Sequence, residues 1–262
     1  KREPAAFDYY YVLPGQGAYY NPTFLLRGPK PWPENTVKKD GEHSSDAITD
    51  ASLEWLKSGR DKARPFFLMH QFKAPHDLFV NARRYDNYLA DIEIPKPFNL
   101  FSPPAGSVGS RGLGSGIGRV HAPWTLGKRL GTPDTLDERA YVEATYQLFL
   151  KRYLRCVKGV DDNIKRLLDY LREAGELDNT VIVYTSDQGY LLGEHDLMDK
   201  RWMYEESMRM PLIVHWPNGV EKGRTNDWLI ENTDFAPTLL GIAGLETPSY
   251  MQGRSFASAL KG

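Results

Sequence analysis

The stretch "TVIVYTSDQGYLLGEHDLMDKRWMYEES", Thr180 to Ser207, sets an apolar β-branched run directly against a dense polar one. Val181, Ile182 and Val183 read as a short buried strand of the kind found in a mostly parallel sheet. Asp187 and Gln188 then fall at its carboxyl end, and Gly189 lets the backbone turn sharply, so a carboxylate and an amide oxygen can face one point. Open α/β sheets bind ligands outside the carboxyl ends of their strands. Hard oxygen donors of this sort suit Ca²⁺ or Mg²⁺ better than zinc. The residues alone also fit a blander reading, in which Asp187 and Gln188 are turn residues of a solvated hairpin. Lys200 follows in "GEHDLMDKR", with His195 before it. A lysine is a compact charge suited to a tetrahedral oxyanion. Its competing reading is a surface lysine paired with Asp196 or Asp199.

Outward from that stretch, helical and strand patterns alternate. "HSSDAITDASLEWLKSG" offers Ser44, Ser45 and Asp46 as caps, apolar residues at Ile48, Leu53 and Leu56, and Gly59 as a stop. "RPFFLMHQF" follows as a short buried strand. After it, Pro75 presents His76 in a loop, where an imidazole can give a proton to a leaving group, although a lone histidine there also fits a structural role. Residues 98–135 are rich in Gly, Ser and Pro and read as a long loop. Its "GLGSGIG" fits neither a dinucleotide-binding nor a nucleophile-elbow pattern. From Tyr141 to Gly175 the apolar spacing is helical, in one or two helices. Met203 to Met208 reads as a short helix, "PLIVHW" as a strand and "NTDFAPTLLGIAG" as a capped helix. The first forty residues, with many Tyr, Pro and Gly, read as short strands and turns. Helices alternating with short apolar strands predict α/β layers around a mostly parallel sheet.

The 262 residues are 41% hydrophobic and 26% charged, enough for a substantial core. Mean hydropathy is −0.51. No run approaches the ~20 apolar residues of a membrane span. A net charge of −1 gives no electrostatic reason to expect a nucleic-acid partner. The single cysteine, Cys156, excludes an internal disulfide.

The segments "FKAPH", "RCVKGVDDNIKRLLDYL", "DNTVIVYTSDQG", "GEHDLMDKRWMYEESMRMPLIVHWP" and "TDFAPTLLGIAG" together resemble the type I sulfatase family of the alkaline-phosphatase-like superfamily. The resemblance implies a three-layer α/β/α sandwich with a mostly parallel central sheet. It implies Ca²⁺ binding by Asp187 and Gln188, sulfate contact by Lys200, leaving-group protonation by His76 and a place for His195 at the substrate rim, with Lys73 a secondary candidate. The implied substrate is a small-molecule or oligosaccharide sulfate ester, most similar to amino-sugar 6-sulfates, and the implied location is periplasmic or secreted. The aromatic N-terminal residues and the 98–135 loop would form a sugar-binding rim.

The sequence also departs from that family. The formylglycine nucleophile arises from a Cys/Ser-x-Pro-x-Arg motif that is not found here, and the tandem metal aspartates and the Lys-x-His motif are missing as well. Cys156 lies in a helical pattern, and Asp161 and Asp162 lie far from any strand end, so neither substitutes. These departures imply that residues 1–262 are an incomplete catalytic domain that turns over no substrate alone, and "YMQGRSFASALKG" resembles the approach to the family's C-terminal subdomain. A phosphodiester or phosphonate monoester hydrolase of the same superfamily, or an inactive anion-binding module, are the alternatives.

Overall fold

A computed structural model describes residues 3–102, 116–118, 126–220 and 222–261. Most of the 98–135 loop therefore lies outside the described residues. The chain divides into two compact units. One holds Lys1–Leu171 and Leu191–Asp199, the other Arg172–Tyr190 and Lys200–Gly262.

In the first unit, β1 (Tyr11–Val12), β2 (Thr23–Leu26) and β3 (Thr36–Lys38) form an antiparallel sheet in that order, with Phe24 opposite Val37. Phe24 is fully buried against Ala47 and Ile48 of α1 (Ser44–Glu54), with Tyr11, Leu13 and Val37 packed around them. The cap of α1 lies one residue before the expected ones. His43 is its N-cap, its Nδ1 accepting the Ser45 N–H at 3.3 Å while Nε2 meets the Val80 carbonyl at 2.9 Å. Ser44 and Ser45 are instead buried in the first turn. A π-helical turn, Trp55–Gly59, ends the helix at the predicted glycine.

The helical spacing after Tyr141 is realised as one continuous helix. After the short α2 (Leu126–Leu130), α3 runs for 36 residues from Glu138 to Glu173, and Gly175, at φ +70°, closes it by donating its N–H to the Arg172 carbonyl. Its buried stripe includes Tyr141, Phe149, Val160, Leu167 and Leu171, the repeat of a helix with one apolar face. Phe149 meets Phe79 at 5.0 Å between ring centroids, and both are essentially fully buried. Each such phenyl contributes about 1.5–3 kcal/mol of transfer free energy.

"RPFFLMHQF" is not the buried strand expected. It is extended, but no ladder partner is present among the described residues, and its side chains alternate. Phe66, Leu68 and His70 are half-buried, while Phe67 and Met69 are more than half exposed. Phe66 and Leu68 pack on Leu53, Leu56 and Leu167, so one face is held by α1 and α3.

In the second unit, β4 (Ile182–Thr185) pairs with β7 (Leu212–His215), Val183 opposite Val214. Here the expectation of a mostly parallel sheet needs correcting, because every strand pair among the described residues is antiparallel. Parallel neighbours need a crossover, usually helical. The longest helix between β4 and β7 is the four-residue α4 (Glu205–Met208), and β7 returns antiparallel. Val183 and Val214 line an apolar slot with Phe235 and Leu239 of α5 (Phe235–Ile242) and Leu260 of α6 (Ala257–Leu260). A capping box precedes α5. The Asp234 carboxylate accepts the Glu231 N–H at 3.0 Å and the Arg254 N–H at 2.7 Å, and these two bonds hold its pKa below the usual range.

Candidate active site

Asp187 and Gln188 lie just past the carboxyl end of β4, with only Ser186 between Thr185 and Asp187, and Asp187 is exposed. The Ser186 hydroxyl donates to the Gln188 carbonyl at 2.7 Å and closes the turn, and the Asp187 carbonyl accepts the Asn232 amide at 3.4 Å. Gly189 serves a different purpose from the one expected. Its φ is not positive. Instead its N–H donates to the Ser207 carbonyl at 2.8 Å, and a Cβ there would sit 2.1 Å from the Glu206 carbonyl oxygen. The turn that carries Asp187 is thus clamped backbone to backbone against α4. Gly189→Ala is expected to cost about 1–3 kcal/mol, the range for overpacking. An unfolding midpoint in urea equal to that of the parent would show that the two backbones separate freely.

Two hard oxygens at a strand end fit a Ca²⁺ ion in kind and supply only part of the roughly six to eight oxygens such an ion takes. Among the described residues no group of three or more His, Cys, Asp or Glu side chains is arranged to hold a metal ion. Lys200, half-buried, belongs to the same unit. Its ammonium lies 5.9 Å from the centre of the Tyr190 ring, so Tyr190 follows the Asp187 turn in sequence and meets Lys200 in space.

His195 belongs to the first unit. It sits in the single helical turn Glu194–Asp196, in the left-handed region at φ 58°, between β5 (Leu191–Leu192) and β6 (Met198–Asp199). These strands do form a hairpin, Leu191 opposite Asp199, but a buried one. Leu191 and Leu197 are fully enclosed, and Asp196 and Asp199 are 3% and 4% exposed. Asp196 is committed within that unit, where its carboxylate accepts the Gly118 N–H at 3.0 Å.

His76 lies in the loop after the extended segment. Its N–H donates to the Lys73 carbonyl at 3.0 Å, and its own carbonyl accepts from the Tyr19 hydroxyl and from the Phe79 N–H. The imidazole Nδ1 lies 2.8 Å from Asp77 Oδ1, and Arg129 pairs with the other oxygen of that carboxylate. Asp77 and Arg129 were not singled out from the sequence. The signal for Asp77 was its position right after the histidine, while Arg129 lies in the segment read as loop. Lys73 is tied down elsewhere, donating to the Gln16 carbonyl at 2.7 Å with its ammonium 4.8 Å from the Tyr19 ring centre.

The residues set aside as substitutes have structural employment. Cys156 is buried, which pushes its thiol up to about 12, far from a reactive thiolate. Asp162 accepts from Lys158 at 2.7 Å and from the Tyr85 hydroxyl at 2.8 Å. A cavity of about 430 Å³ in the first unit, lined by Tyr20, His43, Asp46, Asp50 and Arg84 among others, contains none of the predicted site residues. Its charges answer one another. Arg84 makes two bonds to Asp46 at 2.7 and 2.6 Å, and Arg166 pairs with Asp50.

Known proteins place these features in a family. The sulfatase family model matches residues 5–245. An N-acetylglucosamine-6-O-sulfatase of Bacteroides thetaiotaomicron is 36% identical over 303 residues, covering 99% of this chain and 52% of that protein. An extracellular sulfatase SULF-1 homolog of Drosophila melanogaster is 30% identical over 250 residues, 92% of this chain and 20% of its own length. A solved structure in complex with its substrate D-glucosamine-2-N,6-O-disulfate superposes with a TM-score of 0.86 at 35% identity, covering 100% of this chain and 60% of that one. The chain thus spans about half the length of the bacterial N-acetylglucosamine-6-O-sulfatase that it matches. The fold class is the α/β fold of the alkaline-phosphatase-like superfamily. With similarity along nearly its whole length, the chain belongs to the sulfatase family.

Proposed function

We propose that the protein hydrolyses sulfate esters of carbohydrates, with the 6-O-sulfate of a glucosamine-type sugar as the favoured substrate, from a single catalytic domain of which residues 1–262 are the greater part. The observation that carries this reading is the likeness along the whole of this chain, at 35% identity and a TM-score of 0.86, to 60% of a structure in complex with glucosamine-2-N,6-O-disulfate. A periplasmic or secreted location suits such a substrate, and among the described residues no helix is long and apolar enough to cross a membrane. In this proposal Asp187 and Gln188 contribute oxygens to a Ca²⁺ ion, Lys200 neutralises charge on the sulfate oxygens, and His195 borders the sugar. His76 protonates the sugar oxygen as it leaves. The bound Ca²⁺ and a formylglycine hydrate would supply charge neutralisation and the nucleophile.

The role of His76 separates this reading from its alternatives. A sugar alkoxide is a poor leaving group and needs its proton, whereas an aryl oxide needs it far less. His76→Ala in the intact protein is therefore expected to lower kcat/KM on glucosamine 6-sulfate by about 10²-fold or more, and on 4-nitrophenyl sulfate much less. Equal losses on both substrates would remove the proton-donor role. Turnover of a phosphonate monoester with no sulfate released from the sugar would favour the phosphonate hydrolase reading instead.

A further inference from the structure

The His76 ring is held by more than its own loop, and the atoms around it fix which nitrogen is free. Nδ1 faces two oxygens of the next residue, Asp77 Oδ1 at 2.8 Å and the Asp77 carbonyl at 3.0 Å. A carbonyl oxygen only accepts, and a carboxylate paired with a guanidinium does the same. Both contacts therefore require the hydrogen to sit on Nδ1. Nε2 is left as the atom that takes or gives a proton. The Asp77 carboxylate cannot swing away, because Arg129 holds its second oxygen. Arg129 in turn is set by α2, whose Leu126, Gly127 and Leu130 are buried. The approach is close there, since a Cβ on Gly127 would stand 2.4 Å from the Tyr141 hydroxyl of α3. On the loop's other side the Tyr19 hydroxyl donates to the His76 carbonyl, and Phe79, 1% exposed, anchors the chain in the core. Also at the loop, the Lys73 ammonium and the Tyr19 ring face each other.

We propose that Asp77 and Arg129 are positioning residues for His76, forming an Arg129–Asp77–His76 relay that fixes the Nδ1–H tautomer and aims Nε2 at the leaving oxygen. The proposal rests on the reading of His76 as the proton donor. In that step the sulfur would pass to the formylglycine hydroxyl as the S–O bond to the sugar breaks with its electron pair staying on the sugar oxygen, the proton on Nε2 passes to that oxygen, and the ring is left neutral with its hydrogen still on Nδ1 toward Asp77. The carboxylate never accepts the proton; it fixes the orientation and the tautomer. A helix packed on α3 is thereby coupled to a proton donor in a distant loop.

The test reads the tautomer directly. In the intact protein labelled with ¹⁵N-histidine, long-range ¹H–¹⁵N correlation spectra identify His76 by the signals lost in His76→Gln. With the ring neutral, the parent is expected to show Nδ1 protonated and Nε2 bare. Asp77→Ala is expected to move the pattern toward an Nε2–H or mixed form, and Asp77→Asn, which keeps an acceptor oxygen, to restore Nδ1–H. Arg129→Gln is expected to give an intermediate pattern. On kinetics, Asp77→Ala should lower kcat on glucosamine 6-sulfate about 10-fold while sparing the aryl sulfate. An Asp77→Ala spectrum identical to the parent would mean that the backbone carbonyl alone fixes the ring, and would overturn the proposal. So would a failure of Asp77→Asn to restore the parent pattern. An unchanged Arg129→Gln spectrum would remove Arg129 from the relay. These spectra stand apart from the leaving-group test, so a His76 without a catalytic role would still reveal whether Asp77 orients it.

Discussion

Replacing Lys200 by alanine in the intact protein is expected to lower kcat/KM for glucosamine 6-sulfate by about 10²-fold or more, or about 2.7 kcal/mol of transition-state stabilisation. The argument is electrostatic. As the S–O bond lengthens, charge grows on the sulfate and leaving oxygens, and a half-buried ammonium close to them is screened far less than one in open water. The Lys200 side chain is half-buried with its ammonium 5.9 Å from the Tyr190 ring centre, so it reaches its place with its stem covered. How the loss divides between the two kinetic constants is informative. A fall in kcat and kcat/KM together assigns the charge to the transition state, whereas a raised KM alone assigns it to ground-state binding of the sulfate. Lys200→Arg keeps the charge but replaces a point donor with a planar fork, and should recover only part of the rate. An alanine variant as active as the parent on the sugar sulfate would strike Lys200 from the site. Because this substrate must lose an alkoxide, the assay should use the sugar and not only an aryl sulfate.

The parts of the fold that were legible in the sequence are those written in local periodicity. The stripe through Tyr146, Phe149, Leu167 and Leu171 with Gly175 beyond it foretold α3, and the apolar run into Asp187 foretold the strand end that carries the candidate metal ligands. The failures came where a long-range partner decides the outcome. "RPFFLMHQF" is apolar enough for a buried strand, yet its Phe66 and Leu68 side packs on the core while Phe67 and Met69 stay more than half exposed, and no ladder forms beside it among the described residues. The antiparallel pairing of β4 with β7 depends on what the intervening chain does, which periodicity within either strand does not reveal. The cap of α1 was assigned by residue type to the serines, but His43 takes it, because Val80 from elsewhere in the chain accepts from its other nitrogen and leaves Nδ1 as an acceptor. The same limit applies to the site. Asp187, Gln188, Lys200 and His76 carry motifs that can be matched residue by residue. Arg129 meets Asp77 only through folding, and it sits in a stretch whose Gly and Ser content masked a helix.

Acid is expected to weaken the first unit well above the pH at which carboxylates protonate, and His70 is the reason. The ring is enclosed between α1 and the extended segment, with Nδ1 2.9 Å from the Ser52 hydroxyl, Nε2 3.5 Å from the Thr49 hydroxyl and the Phe72 ring edge-on at 4.5 Å. No carboxylate is among these contacts, so burial penalises the imidazolium without compensation and lowers the pKa from 6.5 to about 4. The sign follows from which state binds the proton more readily. Unfolded, His70 titrates near 6.5. Folded, it stays neutral until about pH 4. Its contribution is therefore fully present above about pH 6.5 and is lost as pH falls from there toward 4, by roughly 1.4 kcal/mol per unit and about 3 kcal/mol in all. His43, also held below its usual range by burial, adds in the same direction. The carboxylates held low by their partners, Asp46 and Asp162, act only at more acidic pH, where the unfolded chain takes up their protons before the folded one does. The check is a series of urea unfolding midpoints between pH 7.5 and 4 for the parent and for His70→Gln, which keeps a polar partner for Ser52 but binds no proton. The parent should lose stability through this window and the variant should lose markedly less. Parallel curves would show that His70 protonates without resistance, which would require its enclosure between Ser52, Thr49 and Phe72 to open well before the unit unfolds.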